Sequence, residues 1–542
     1  MPRLHGPVLL PAGGGQGVGG VVFLGLAAVL AVMSCFKYLA LHTTVSGLGF
    51  ALSDLYTIHL DGAWWRAFSG HSEPLLLLFG QVYRLVPDQA APFVLLTAQA
   101  LFLALPALAT ARRYGVLAAL AYALYFPVWT NALNGFHPDH LLVPVLFAFL
   151  LAARSGRFVL AACLGLLPAL VGEYQALTTF CCGLYLFAVH ERHRAGLLLM
   201  VSGALYLYVA VFWLIPFCSL TPAPARLTGL WASWFGGGAV PGSGGVWNLV
   251  ACCGALLFFP LFRPKLLVPA LPGLALVLFA GPEAGGLTGP ATAGLVGPLF
   301  FGFCEVLGPV RVLAGHSGAG VRRFGLAVFL GLALVHILVA PSPVSRLFLT
   351  GDDFDFGVAA YEPTARDAAI LAEILRSVPD NDDVAVSTQN SLNWGALAER
   401  RHFGNFPQGV FAPQAERDLT GITWKDFLAY LRSGGVVRPP EKRWLAQYVL
   451  LDTTRPWAVY SRDCSPGKAC RDAALAREYT ELVGRVRAAF ATVYDQGGFL
   501  LLRRRPEPAP PVPPAAPAAG ATDAPTDGAA PHPDAAPQSA TP

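Results

Sequence analysis

SGLGFALSDLYTIHLDGAWWRAFSGHSEPLLLLFGQVYRLVPDQ, residues 46–89, decides how this chain is read. Apolar runs flank it at 20–42 and 90–111, yet it holds Asp54, His59, Asp61, Arg66, His71 and Glu73. Acids and imidazoles gathered between two runs long enough to cross a bilayer make a polar loop at a membrane surface. Inside the loop, Pro74–Val86 is apolar but short, which predicts a re-entrant or interfacial helix.

Working outward, the chain of 542 residues is 55% hydrophobic and 13% charged, with mean hydropathy +0.53. Soluble domains carry about 25% charged residues. The deficit is concentrated in residues 20–342, which predicts a mainly α, polytopic membrane domain behind a flexible N-terminus at 1–19. Crossing a ~30 Å hydrocarbon core takes about 20 apolar residues. Candidate spans fall at 20–42, 90–111, 115–132, 140–153, 158–172, 175–189, 195–216, 246–262, 266–280, 288–307 and 324–342. The first is too long for a signal-peptide core and reads as an uncleaved span.

Lys and Arg accumulate on the cytoplasmic side of short loops. With the N-terminus inside, the inner loops hold Arg112 and Arg113, Arg154 and Arg157, Arg192 and Arg194, Arg263 and Lys265, and Arg311, Arg322 and Arg323. The alternate connections hold only Arg66, Arg84 and Arg226. This predicts about eleven spans in a cell (plasma or inner) membrane, with the C-terminal part extracytoplasmic. Four polar places then share the outer side: the 46–89 loop, NALNGFHPDH at 131–140, VGEYQ at 171–175, and 216–246 with its tryptophans Trp231 and Trp234.

Charge returns at 343–505. PTARDAAILAEILRSV (363–378) has helical spacing behind a proline. DVAVST (383–388) and YVLLDT (448–453) read as short strands, and 472–490 as a helix. ATVYDQGGFLLLRR (491–504) reads as a hairpin turning at Gln496, Gly497 and Gly498. These elements predict a small extracytoplasmic α/β domain. From Pro506 to Pro542 the chain is Pro, Ala, Thr and Asp, a composition that cannot bury a core and predicts a disordered tail. Of ten cysteines, eight lie in or beside apolar runs; Cys464 and Cys470 flank SPGKA and are disulfide candidates, with two free thiols the equal alternative.

The net charge of +4, without a basic helix, is too small to suggest nucleic acid as a partner, and the lipid bilayer is the expected one. GQGVGG (15–20) matches a dinucleotide fingerprint in form only, since no strand precedes it. Asp54 is the candidate general base, or a ligand for a divalent metal such as Mg or Mn; its alternative is a helix N-cap before LYTIHL. Asp61 is a second candidate. His71 and Glu73 have the types to contact phosphate or sugar, or only to begin the next helix. His137 and Asp139 in FHPDH have metal-ligand types in a spacing that is no zinc pattern, and Asp139 also suits a helix start. Glu173, between two apolar stretches, implies a cavity or a partner.

GHSEPLLLLFGQVYRLVP, NGFHPDHLLVPVLFAFLL, VGEYQAL, STQNSLNWGALAERRHFGNFP and YVLLDT, in that order behind an acidic first loop, resemble the bacterial membrane family known as domain of unknown function 2079. The resemblance runs over most of 40–505. The family's FHPE is FHPD here, and its Lys-Glu-Asp motif is reduced to Gly172-Glu173-Tyr174. The layout is similar to the GT-C glycosyltransferases. That similarity implies transfer of a sugar from a polyprenyl-phosphate donor to an extracytoplasmic acceptor. By it, Asp54 is base or metal ligand, His71 and Glu73 line the donor phosphate, and His137, Asp139 and Glu173 lie on the cavity wall. The rival expectations are a transporter or flippase, suggested by Glu173 and by prolines within spans (Pro106, Pro127, Pro144, Pro168), and a non-enzymatic scaffold.

Overall fold

The structure, a computed structural model, describes residues 16–43, 45–61, 64–87, 90–220, 243–279, 292–313, 318–350, 357–379, 384–389, 402–453 and 473–506. The N-terminal 1–15, residues 221–242 with Trp231 and Trp234, Cys464 and Cys470, and the tail from 507 lie outside the described residues, as does the side chain of Asp61. Residues 1–504 form one compact unit.

The apolar part is helical. Its elements are α1 (Gln16–Leu39), α2 (Phe50–Asp61), α3 (Leu75–Tyr83), α4 (Ala91–Tyr114), α5 (Val116–Ala123), α6 (Phe126–Leu133), α7 (Leu142–Arg154), α8 (Phe158–Leu166), α9 (Pro168–Val171), α10 (Ala176–His190), α11 (His193–Val209) and α12 (Ile215–Cys218). Beyond 242 come α13 (Ser243–Gly254), α14 (Leu271–Phe279), α15 (Ala293–Leu313), α16 (Gly318–Val339) and α17 (Arg346–Thr350). Among the described residues, three helices are long and apolar enough to cross a membrane: Gly17–Leu39, Ala91–Tyr114 and His193–Cys218. The pair α5 and α6, bent by 47°, adds a fourth if it forms one span. The break falls at Leu124 and Tyr125, just before Pro127, which lacks an N–H and sits in the first turn of α6. The run at 246–262 does not continue as one helix: α13 ends at Gly254, and Leu257 and Phe258 take positive φ.

Small residues bring α10 and α11 together. A Cβ on Gly183 would stand 2.6 Å from the Gly196 carbonyl oxygen, and one on Gly203 2.6 Å from that of Ala176. Without side chains there, the two backbones pack directly, as small residues allow between apolar helices. Gly80 of α3 approaches Ile58 of α2 in the same way, at 2.7 Å from its Cγ2.

The C-terminal part is α/β. It contains α18 (Ala365–Ser377), β1 (Ala385–Thr388), β2 (His402–Asn405), β3 (Gln414–Arg417), α19 (Trp424–Arg432), β4 (Glu441–Trp444), β5 (Tyr448–Asp452), α20 (Ala473–Ala489), β6 (Phe490–Gln496) and β7 (Phe499–Arg504). The main sheet runs β2-β1-β5-β7-β6; β1 is parallel to β2 and β5, and β7 is antiparallel to β5 and β6. β5 is buried along its whole length because both faces are covered. Ile374 and Val378 pack with Val386, Leu450 and Leu501 on one face, while Val486 of α20 packs with Val449, Leu451 and Leu502 on the other. Thr364 and Asp367 form a capping box at the start of α18, and Thr423 and Asp426 another at α19. β3 and β4 make a separate antiparallel ribbon.

This α/β part is seated on the 46–89 loop. Trp64 stacks on Trp424, centroids 4.1 Å apart and rings 9° from parallel. Phe217 meets Phe427 and Tyr430 at 5.2 and 5.1 Å. Leu419, Phe427 and Tyr430 share one core with Leu52, Leu55 and Phe68 of the loop. The seating brings the β3–β4 ribbon over the polar loop.

Candidate functional site

Between ribbon and loop lies a cavity of about 1020 Å³. α2 gives it one stripe, with Phe50, Ala51, Asp54 and Thr57 at helical spacing, while Leu52, Leu55 and Ile58 turn into the core. Asp54 therefore sits inside a helix that begins at Phe50, not at its N-cap as the sequence alternative had it. The preceding π-helical turn, Val45–Gly49, carries the backbone into α2 ahead of Ser53. Arg66, His71 and Glu73 of the same loop line the cavity, as does His137 from the 131–140 turn.

Asp139 and Glu173 are not on the cavity wall. They stand behind it and hold it. Glu173 is fully buried and pairs through Oε1 with Nδ1 of His71 at 3.0 Å. Its Oε2 accepts the backbone N–H of Ser72 at 2.8 Å, and the Ser72 hydroxyl meets the Tyr206 hydroxyl of α11 at 2.6 Å. Asp139 accepts from Gln175 Nε2 at 3.0 Å and from the Tyr174 hydroxyl. Gln99 of α4 accepts the His137 N–H at 3.2 Å and donates to Gly135 O at 2.9 Å. The VGEYQ kink thus clamps both the His71 segment and the FHPDH turn. Tyr174, Gln175, Tyr206 and Gln99 escaped the sequence reading; a lone Gln in apolar α4 is the one local signal.

Burial shapes the titration of the loop acids. It pushes Asp54 up to about 6, opposed by Arg66. Burial pushes Glu73 up to about 8; His71 opposes it, and the neighbouring Asp139, Asp54 and Glu173 add to it. Asp139 rises to about 6 through burial, against its bonds from Tyr174 and Gln175. Burial holds His137 down at about 4, so its ring is neutral near pH 7. At that pH Asp54 can accept a proton while Glu73 keeps one, which is how two carboxyls in one site divide base and acid work.

The far wall comes from the α/β part. Glu416 lies 3.2 Å from His402 Nδ1 and 3.3 Å from Lys442 Nζ, and its Oε2 accepts from Trp444 Nε1 at 3.2 Å. Burial pushes its pKa up, but His402, Arg66 and Lys442 outweigh that and hold it below the usual glutamate value. These residues lie more than 300 positions from the first loop, and no local motif marks them.

A second cavity of about 260 Å³ adjoins the first and shares Phe136 and His137 with it. Apart from Gln99, His137 and His140, its lining is apolar or aromatic, including Phe79, Val82, Val94 and Phe102 of α3 and α4. Among the described residues, no group of three or more His, Cys, Asp or Glu side chains is placed to hold a metal ion. The oxygens of Asp139 and Glu173 are already engaged by protein donors.

Among curated proteins, none matches the chain. Its fold is similar to the crystal structure of ArnT from Cupriavidus metallidurans bound to undecaprenyl phosphate, with TM-score 0.47 and 13% identity over 89% of this chain and 97% of that one. Residues 40–410 match the family described as predicted membrane protein, DUF2079, and the chain belongs to that family.

Proposed function

We propose that this membrane protein is a glycosyltransferase of GT-C-like layout that moves a sugar from a polyprenyl-phosphate donor to an extracytoplasmic acceptor. The observation that carries the reading is the joined pair of cavities: a polar one with Asp54 and Glu73, and an apolar one beyond Phe136 and His137. A substrate with a polar head and a hydrocarbon tail fits such a pair.

In this reading Asp54 takes the proton of the acceptor hydroxyl as its oxygen bonds to the anomeric carbon. The bond from that carbon to the phosphate oxygen breaks on the opposite face, the configuration inverts, and the electron pair leaves on the prenyl phosphate. Glu73, protonated at neutral pH, donates a hydrogen bond to the sugar. His71 is oriented by Glu173, and His137 bounds the passage to the apolar side. In this reading the chain crosses the membrane about eleven times, with the N-terminus cytoplasmic and residues 343–505 outside.

Asp54→Asn keeps the shape and removes the base. Transfer of labelled sugar from a prenyl-phosphate sugar, measured with full-length protein in proteoliposomes, is expected to fall by roughly 10²- to 10⁴-fold. An unchanged rate removes Asp54 from the chemistry and the reading with it.

A further inference from the structure

We propose that the phosphate of the substrate binds on the outer α/β wall of the cavity, at Lys442 of β4 with Arg66 facing it, so that the active cavity is complete only when the α/β part is seated. This rests on the reading that the substrate carries a phosphate.

The similarity to the GT-C layout implies a phosphate at His71 and Glu73. The structure makes that end of the cavity hostile to it. Glu73 stands within electrostatic reach of Asp54, Asp139 and Glu173, and the imidazole of His71 is turned to Glu173. A phosphate brought there finds an uncharged Glu73 carboxyl and an imidazole whose Nδ1 is already taken by Glu173, rather than a fixed cation.

Among the described residues, the Lys and Arg on the cavity lining are Arg66, Arg417 and Lys442. Two of the three come from the β3–β4 ribbon. Arg417 is engaged in holding that ribbon in place: its Nε donates to Ser219 O at 3.4 Å, its Nη1 to Pro439 O at 3.1 Å, and its side chain is only 8% exposed. Lys442 is 32% exposed, and its ammonium contacts Glu416 at 3.3 Å. An ammonium has three donors, and one carboxylate oxygen does not exhaust them. Arg66 lines the cavity and reaches both walls electrostatically, since it draws the pKa of Asp54 and of Glu416 downward. A phosphate between Arg66 and Lys442 therefore meets two cations on the same cavity, one of them shared with Glu416. When the glycosidic bond breaks, the phosphate gains a negative charge, and these cations meet it where it develops.

Alternation along β4 supplies the control. Lys442 and Trp444 face the cavity, whereas Arg443 points to the exposed face of the ribbon. The test is titration of the full chain in detergent with farnesyl phosphate, farnesol and inorganic phosphate, after melting curves show that each variant is folded. Lys442→Ala is expected to weaken farnesyl phosphate binding roughly tenfold, the scale of one charge-assisted hydrogen bond. Farnesol binding stays unchanged, Lys442→Arg restores most of the affinity, and Arg443→Ala leaves it unaltered. Inorganic phosphate that competes in a Lys442-dependent way supports the subsite and assigns it to free phosphate; lack of competition supports it for the lipid headgroup. Wild-type affinity in Lys442→Ala, or an equal loss in Arg443→Ala, overturns the subsite and leaves the transferase reading standing. Failure of farnesyl phosphate to bind the wild type overturns the lipid-phosphate reading itself.

Discussion

Glu73 and Glu416 face the same cavity from opposite walls, and burial pushes both upward. Glu73 ends near 8, among other acids and a single histidine. Glu416 ends below its usual value, because Arg66, Lys442 and His402 surround it. The same side chain is a proton store on one wall and a fixed anion on the other. Desolvation sets the tendency, and the sign of the neighbouring charges decides the outcome.

The comparison breaks most visibly at Glu173, which supports the membrane-side wall. Glu173→Ala leaves the Ser72 N–H and the His71 ring without their acceptor, at an expected loss of about 3 kcal/mol. Chemical denaturation in detergent measures it, and a loss below about 1 kcal/mol would mean that Glu173 does not hold the wall.

The pH dependence of stability sharpens the contrast. Glu73 has a raised value, so the folded state binds more protons than the unfolded one between the ordinary glutamate value of 4.5 and about 8. Stability from this group therefore falls as pH rises through that window. Glu416 has a lowered value; its contribution is present above 4.5 and is lost as pH falls below it. Melting temperatures from about pH 3 to about pH 9 should show a flatter decline on the neutral side in Glu73→Gln and a weaker acid-side loss in Glu416→Gln. Identical profiles for the two variants would erase the distinction between the walls.

The smallest effect concerns the join. Trp424→Ala removes the parallel stack on Trp64. It is expected to lower the stability of the seated α/β part by about 1 kcal/mol beyond the lost apolar area. A double-mutant cycle with Trp64→Ala reads that coupling; zero coupling energy would make the stack incidental.

Much of the architecture was legible. The α3 segment, the helices at 363–378 and 472–490, the strands at 383–388 and 448–453 and the hairpin turning at 496–498 all correspond to structural elements, because each is encoded by local periodicity and turn residues. β2, β3, β4 and α19 were not foreseen. β3 and β4 are four-residue strands rich in charge, and they exist through pairing with each other. Asp54, His71, Glu73 and His137 were singled out from their sequence surroundings, and all four line one cavity. Asp139 and Glu173 were singled out too, but they act from behind the wall through Tyr174, Gln175, His71 and Ser72.

By itself, then, the order of residues determined a membrane-embedded chain with a polar loop and an α/β C-terminal part, since hydropathy and periodicity are local properties. Only the tertiary structure decided which acids share a cavity, which neighbours set their protonation, and that residues 402–444 form its far wall. Those outcomes depend on distances and burial between segments hundreds of positions apart, and no local pattern encodes them.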